Sequence, residues 1–246
     1  MKHFTLILSI IIIATSCQKE PSAKEIILKS IEAHGGDKVY NSQFSFDFRN
    51  THYQARYTNG NYVLSRQFAD SLENSIKDVL TNDSFERIIN DTSVTVAKEW
   101  EIKYSNSVNS VFYFFRLPFN LNDEAVILTY LGKGTIENTE YFKVKITFSE
   151  DGGGDDFTDQ FVYWFNSETY VLEYFAYEYE TSGGGKRFRK AINQRTINGL
   201  LVSDYINYEP KELSIDIAQY DTYYEQGGFK KLSEIINKNV EITYRP

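Results

Sequence analysis

Phe157-Thr-Asp-Gln-Phe-Val-Tyr-Trp-Phe165 and Tyr170-Val-Leu-Glu-Tyr-Phe-Ala-Tyr-Glu-Tyr-Glu180 decide the fold. Each run is dense in aromatic and β-branched residues, and Asn166-Ser-Glu168 separates them as a turn. They read as neighbouring antiparallel strands. In the second run Val171, Phe175, Tyr177 and Tyr179 alternate with Tyr170, Leu172 and Tyr174, so both faces of the strand are apolar. A sheet of this kind must be covered on both sides, by its own chain, a ligand or a partner.

Outward from this pair, further strands are predicted near 125–131, 139–149, 186–195 and 199–208, with a last one near 231–237. The 139–149 strand sets Phe142, Val144, Ile146 and Phe148 on one face and Tyr141 on the other. The connections Asp151-Gly-Gly-Gly-Asp155, Ser182-Gly-Gly-Gly-Lys186 and Asn198-Gly199 are turn-forming. Successive hairpins alternate ends, which puts both triple-glycine turns on one rim. There Asp151, Asp155 and Asp156 are expected to face Lys186, Arg187, Arg189 and Lys190. Residues 211–228 show no clear period.

Toward the N-terminus, Phe44, Phe46 and Phe48 alternate with polar residues, and strands at 52–57 and 61–68 meet across Asn59-Gly60. Shorter strands are expected at 75–80 and 84–89. Ser22-Ala-Lys-Glu25 is a capping box, opening a helix with Ile27, Ile31 and His34 on one face and Gly35-Gly36 at its end. Trp100, Tyr104, Val108, Val111 and Phe112 recur at helical spacing between Ala97 and Phe115, ahead of Pro118, as one helix or two short ones. The fold class is therefore mainly β: a half-open antiparallel β-barrel or strongly curved sheet with an N-terminal helix and a mid-chain helical segment. The aromatic fraction of 16%, with 19 Tyr and 18 Phe, agrees.

Lys2, the apolar run Phe4–Ala14 and the small residues Ala14-Thr15-Ser16 lead to Cys17, the one cysteine of the chain. A charged start, a short apolar core and small residues before a cut describe a secretory signal, and the apolar run is too short to span a bilayer. Cys17 in first mature position is read as a lipidation site. The expected organisation is a leader at 1–16, a lipidated tether at 17–24 and a single β domain at 25–246. The protein would sit at the outer membrane on its lipid anchor, facing the periplasm or the cell surface. Without the leader, 25 basic and 34 acidic residues remain, a net charge of −9. Such an acidic surface disfavours nucleic acid as a partner.

Four strings occur in a recognisable order: Ile31-Glu-Ala-His-Gly-Gly36, Ser110-Val-Phe-Tyr-Phe-Phe-Arg-Leu-Pro-Phe119, Asp159-Gln-Phe-Val-Tyr-Trp-Phe165 and Gly183-Gly-Gly-Lys-Arg-Phe-Arg189. Together they resemble a family of uncharacterised Bacteroidetes lipoproteins, itself similar to the LolA/LolB superfamily of lipoprotein carriers. Gln18-Lys19-Glu20 likewise resembles the start of a surface-lipoprotein export signal. The resemblance implies an incomplete β-barrel with helices at its opening and carries over no established site residues. It also implies that a chain fixed by acyl groups receives or holds lipid at the membrane, as LolB-like proteins do, rather than shuttling it.

Candidate ligand contacts are His34, Arg116, Asp159, Trp164, Arg187 and Arg189. His34 is either a base near neutral pH or a helix-end histidine favoured by the dipole and packed on Ile27 and Ile31. Asp159 is expected inward among aromatics, paired with Arg187, Arg189 or Arg195 or touching a ligand headgroup. Arg116 follows a helix whose last carbonyls it can cap. Acidic residues 151–159 lack the spacing of a calcium loop and read as a solvated turn. No Gly-x-Ser-x-Gly, His-Glu-x-x-His, Cys-x-x-Cys or Gly-x-x-x-x-Gly-Lys occurs. No metal, cofactor or catalytic residue is expected. The leading expectation is non-catalytic binding of a hydrophobic ligand, a lipid or acyl group, in the barrel concavity. A structural or interaction subunit docking on an envelope protein is the alternative, and a carboxylate-dependent hydrolase the third.

Overall fold

The computed structural model describes residues 20–150, 158–180 and 183–244. Among the described residues, fourteen strands form two antiparallel sheets. The first contains β1 (Ser42–Phe48), β2 (Thr51–Thr58), β3 (Asn61–Ala69), β4 (Ser75–Thr81), β5 (Phe85–Ile89), β6 (Thr92–Val94) and β14 (Asn237–Tyr244), in the order β14-β1-β2-β3-β4-β5-β6. The second contains β7 (Val126–Ile136), β8 (Thr139–Phe148), β9 (Gln160–Asn166), β10 (Leu172–Tyr179), β11 (Gly185–Ile197), β12 (Leu200–Pro210) and β13 (Phe229–Ile235), in the order β13-β12-β11-β10-β9-β8-β7. Ile236 alone links β13 to β14, so the chain steps from the edge of one sheet to the edge of the other. The sheets are not closed into a barrel.

Helix α1 (Ala23–Ala33) starts at the expected capping box, with Ser22 and Glu25 bonded reciprocally. It therefore begins inside the segment expected to be tether. It buries Ile26, Ile27 and Ile31, each contributing roughly 1.5–3 kcal/mol. Gly35 ends it at φ 122°, where a Cβ would overlap the Gly199 carbonyl oxygen, so the helix end lies hard against the β11–β12 hairpin.

Helix α2 (Lys98–Phe115) is a single helix. Its C-terminal turns bridge the two sheets. Phe115 stacks on Phe46 at 4.1 Å and Phe112 meets Phe46 and Tyr53 in the first sheet, while Phe114 stacks on Phe175 at 5.6 Å and lies 5.3 Å from Tyr177 in the second. The main core lies between the sheets around α1 and α2, and includes Phe44, Leu64, Val144, Phe161, Tyr163 and Phe165.

The expectation that both faces of the second sheet need cover is met by the chain itself. The 211–228 segment, unreadable by period, contains a 3-10 turn at Ile217–Gln219 and α3 (Tyr220–Glu225). It closes a second core of Tyr141, Val162, Trp164, Tyr174, Phe188 and Tyr220 on the sheet's outer face. The apolar surface offered to an envelope partner is thus occupied by residues 215–229. The strands β6 and β14 have no counterpart in the sequence reading. β6 is three residues long, and β14 carries Lys238, Asn239 and Glu241 among its apolar residues, which blurs its alternation.

Candidate functional site

Beside α2, where its Phe114 and Phe115 span the two sheets, a half-open cleft of about 220 Å³ remains. Its apolar walls include Phe48, Val111, Phe114, Phe115 and Ile235. Among the described residues only two charged side chains line it, Arg49 and Arg189, and both are cations in a protein of net charge −8. The walls come from β1, α2 and β11–β14, so the cleft exists only because the chain returns from β13 to β14.

Arg189 is 9% exposed. Its guanidinium lies over Phe114 at 4.2 Å, Tyr177 at 5.2 Å and Phe175 at 5.4 Å, and Nη2 donates to the Tyr177 hydroxyl at 2.9 Å. Its buried Nε has no partner. Asn207, its register partner on β12, also lines the cleft and carries a buried Oδ1 without a partner. Around them, the buried Tyr113 and Tyr163 hydroxyls lie 3.3 Å apart, and desolvation pushes both far above the usual tyrosine range. Burial also pushes Tyr205, on the cleft wall, up to about 12. These phenols stay neutral and act as hydrogen-bonding groups.

The structure brings few of the sequence candidates together. Trp164 lies on the opposite face of β9 from Phe161, Tyr163 and Phe165, fully buried edge-on to Phe188 at 5.6 Å. It belongs to the outer core, not the concavity. His34 is buried, and its Nδ1–H donates to the Ser30 carbonyl at 2.8 Å. Desolvation lowers its pKa to about 4, so burial overrides the dipole and the ring is neutral at pH 7. Arg116 follows the last residue of α2, as expected, but its guanidinium lies over Tyr57 at 3.8 Å, away from the cleft.

The β11 arginines considered as partners of Asp159 have other contacts. Those of Arg189 are given above. Arg187 donates to the Lys186 carbonyl and lies over Tyr179. Arg195 pairs with Asp204 at 3.1 Å. A bulge separates Arg195 from the others: β11 uses three steps from Ile192 to Arg195 against two on β12, which moves Arg195 off the face of Arg189. Asp159 is half-buried just before β9, and its charge acts on the Tyr113 hydroxyl. The basic rim residues also have other partners, Lys186 with Glu178 and Lys190 with Glu137. Asp151, Asp155 and Asp156, the facing turn, lie outside the described residues, as does Cys17.

Sequence reasoning missed the clamp beneath the N-terminal half of α2. Asp78 is fully buried on β4 and accepts from Arg66 Nε at 2.8 Å and from Arg87 Nε and Nη2 at 2.7 and 2.8 Å. Arg87 lies over Tyr104 at 3.4 Å and Arg66 reaches Ser107 at 2.6 Å, both on α2. The alternating signs of Arg66, Asp78 and Arg87 at registered positions were the available signal. Among the described residues no group of three His, Cys, Asp or Glu side chains stands close enough to hold a metal ion, and no helix is long and apolar enough to cross a membrane.

The fold is LolA-like. A crystal structure of a LolA superfamily protein from Nitrosomonas europaea matches with a TM-score of 0.51 and 12% identity, over 92% of this chain and 96% of that one. A DUF1329 family protein from Desulfovibrio piger matches with a TM-score of 0.44 and 8% identity, over 90% of this chain and 93% of that one. No curated protein matches the sequence. A family model matches residues 1–238, and the chain belongs to that family, a family of unknown function (DUF6503).

Proposed function

We propose that this protein is a non-catalytic binding protein of the cell envelope that holds a hydrophobic ligand in the concavity beside α2. The observation that carries this reading is the half-open, aromatic-walled cleft between α2 and the second sheet. Side chains of α1 and α2 already occupy part of the concavity. At about 220 Å³ the remaining space is below the range of ordinary small-molecule pockets, so it suits one chain or one end of a ligand. The cleft lining contains no carboxylate, thiol or histidine, and its tyrosine is held neutral, which supports binding over acid–base chemistry. The likeness in fold to a LolA superfamily protein agrees with a carrier-type concavity.

The same reading includes a leader at 1–16, acylation at Cys17 and residues 25–246 as one domain on the outer membrane. With α1 beginning at Ala23, only five residues separate Cys17 from that helix, six Cα steps or at most about 20–22 Å of extended chain. The cleft would then work close to the bilayer, receiving or holding lipid there. Native mass spectrometry of the protein released gently from membranes tests the binding role. Co-purified acyl lipid is the expected result; a ligand-free mass together with no binding of any added amphiphile refutes it. Intact-mass analysis of the membrane form, with a diacylglyceryl adduct expected on Cys17, tests the anchor separately.

A further inference from the structure

The way the cleft handles charge names a class of ligand. An arginine cannot discharge itself by losing a proton, so a buried one must be compensated from outside itself. Asp78, Asp204 and Asp221, the other buried charged side chains, each have an oppositely charged partner, in Arg66 and Arg87, in Arg195 and in Lys143. Arg189 has none. Its compensation is three aromatic faces and one phenol, and the rest of its fork makes no hydrogen bond. Aromatic faces stabilise a cation by roughly 0.5–2 kcal/mol, less than the several kcal/mol that burying an ion costs. The orphaned Nε belongs to a side chain lining the cleft, and Arg49 on the opposite wall adds a second positive charge.

We propose that the cleft binds a single-chain amphiphile by its anionic head, with the Arg189 guanidinium as the head-binding group; this rests on the hydrophobic-ligand reading above. Nε and the free edge of the fork offer parallel N–H donors to a carboxylate or phosphate. Asn207 stands directly across the β11–β12 register and, by rotating its amide, adds Nδ2 as a further donor. Phe114 and Tyr205 wall the head, and the chain runs out along Val111, Phe115 and Ile235. At about 30 Å³ per water-sized group, 220 Å³ accommodates on the order of seven such groups, enough for a head and the first part of one chain. Two-chain lipids exceed it.

The test is calorimetric titration of the delipidated protein with four ligands of equal chain length: dodecanoate, dodecyl phosphate, dodecanol and dodecyltrimethylammonium. The anions should bind roughly 10- to 100-fold tighter than dodecanol, and the cation weakest. The tighter of the two anions identifies the head. In Arg189→Met the anion should lose its advantage while dodecanol binding stays within about threefold of wild type. Arg189→Lys keeps the charge without the fork and should fall between them. Dodecanol binding as tightly as the anions, or an undiminished anion preference in Arg189→Met, would overturn the head assignment while leaving the hydrophobic site standing. Failure of all four ligands to bind would overturn both readings together.

Discussion

The two sheets bury ionisable side chains in opposite ways. In the first, Asp78 is sealed at 0% exposure but has Arg66 and Arg87 on its two oxygens, and the pair of arginines continues to Ser107 and Tyr104 of α2. In the second, Arg189 is nearly as deep and faces aromatic rings. The first arrangement is complete within the chain, and it ties the N-terminal half of α2 to its sheet. The second is left open on the side of the cleft. Equal burial therefore carries different meaning: a closed charge network is structural, whereas an open one of the same depth marks where a ligand supplies the missing partner. His34 shows a third solution, since a histidine can simply become neutral.

The comparison is most severely tested at Asp78. Asp78→Asn leaves two arginines at side-chain exposures of 12% without their anion, and should cost about 3–5 kcal/mol, measured by urea unfolding. A loss under about 1 kcal/mol would mean that the clamp is not closed in the sense argued. Next in size is His34. Its folded pKa of about 4 lies below the unfolded value of 6.5, so the unfolded chain takes up the proton first as pH falls. Its contribution is complete above pH 6.5 and is lost between pH 6.5 and 4, by about 3 kcal/mol. His34→Gln, able to donate to the same Ser30 carbonyl, should flatten that part of the stability–pH curve; an unchanged slope would show that His34 is not buried neutral. The smallest effect belongs to Arg189. Arg189→Met in ligand-free protein should change stability by under about 1 kcal/mol, with gain as possible as loss, because removing an uncompensated cation offsets the lost ring contacts. A drop comparable with that of Asp78→Asn would place Arg189 among the structural charges and erase the contrast.

The strand-rich plan, the capping box of α1, the Asn59-Gly60 hairpin and the mid-chain helix were legible because each rests on local spacing: period two, period 3.6 or a turn dipeptide. Arg189 was also visible, as one of several arginines on an alternating strand. Its separation from Arg195 was not, because a bulge resets the face of every residue beyond it and leaves no mark in composition. Trp164 misled for a related reason. The two faces of β9 are equally aromatic, and nothing in Phe161–Phe165 says which one meets α2 and which one meets α3.

By itself the sequence determined most of the elements, though not β6, β14 or α3, together with the antiparallel order of the meander and the need to cover both sides of the second sheet. It also placed Cys17 behind an apolar run, the basis of the proposed anchor. The tertiary structure decided what does the covering. Residues 215–229 pack on the outer face, and α1 and α2 pack on the inner one, leaving a small cleft lined in part by Arg189. The physical reason is that amphipathic pattern fixes only which residues must leave water. Which surface receives them depends on contacts between segments far apart in the chain, such as β1, α2 and β13 around Arg189, and those contacts are set by packing and charge pairing.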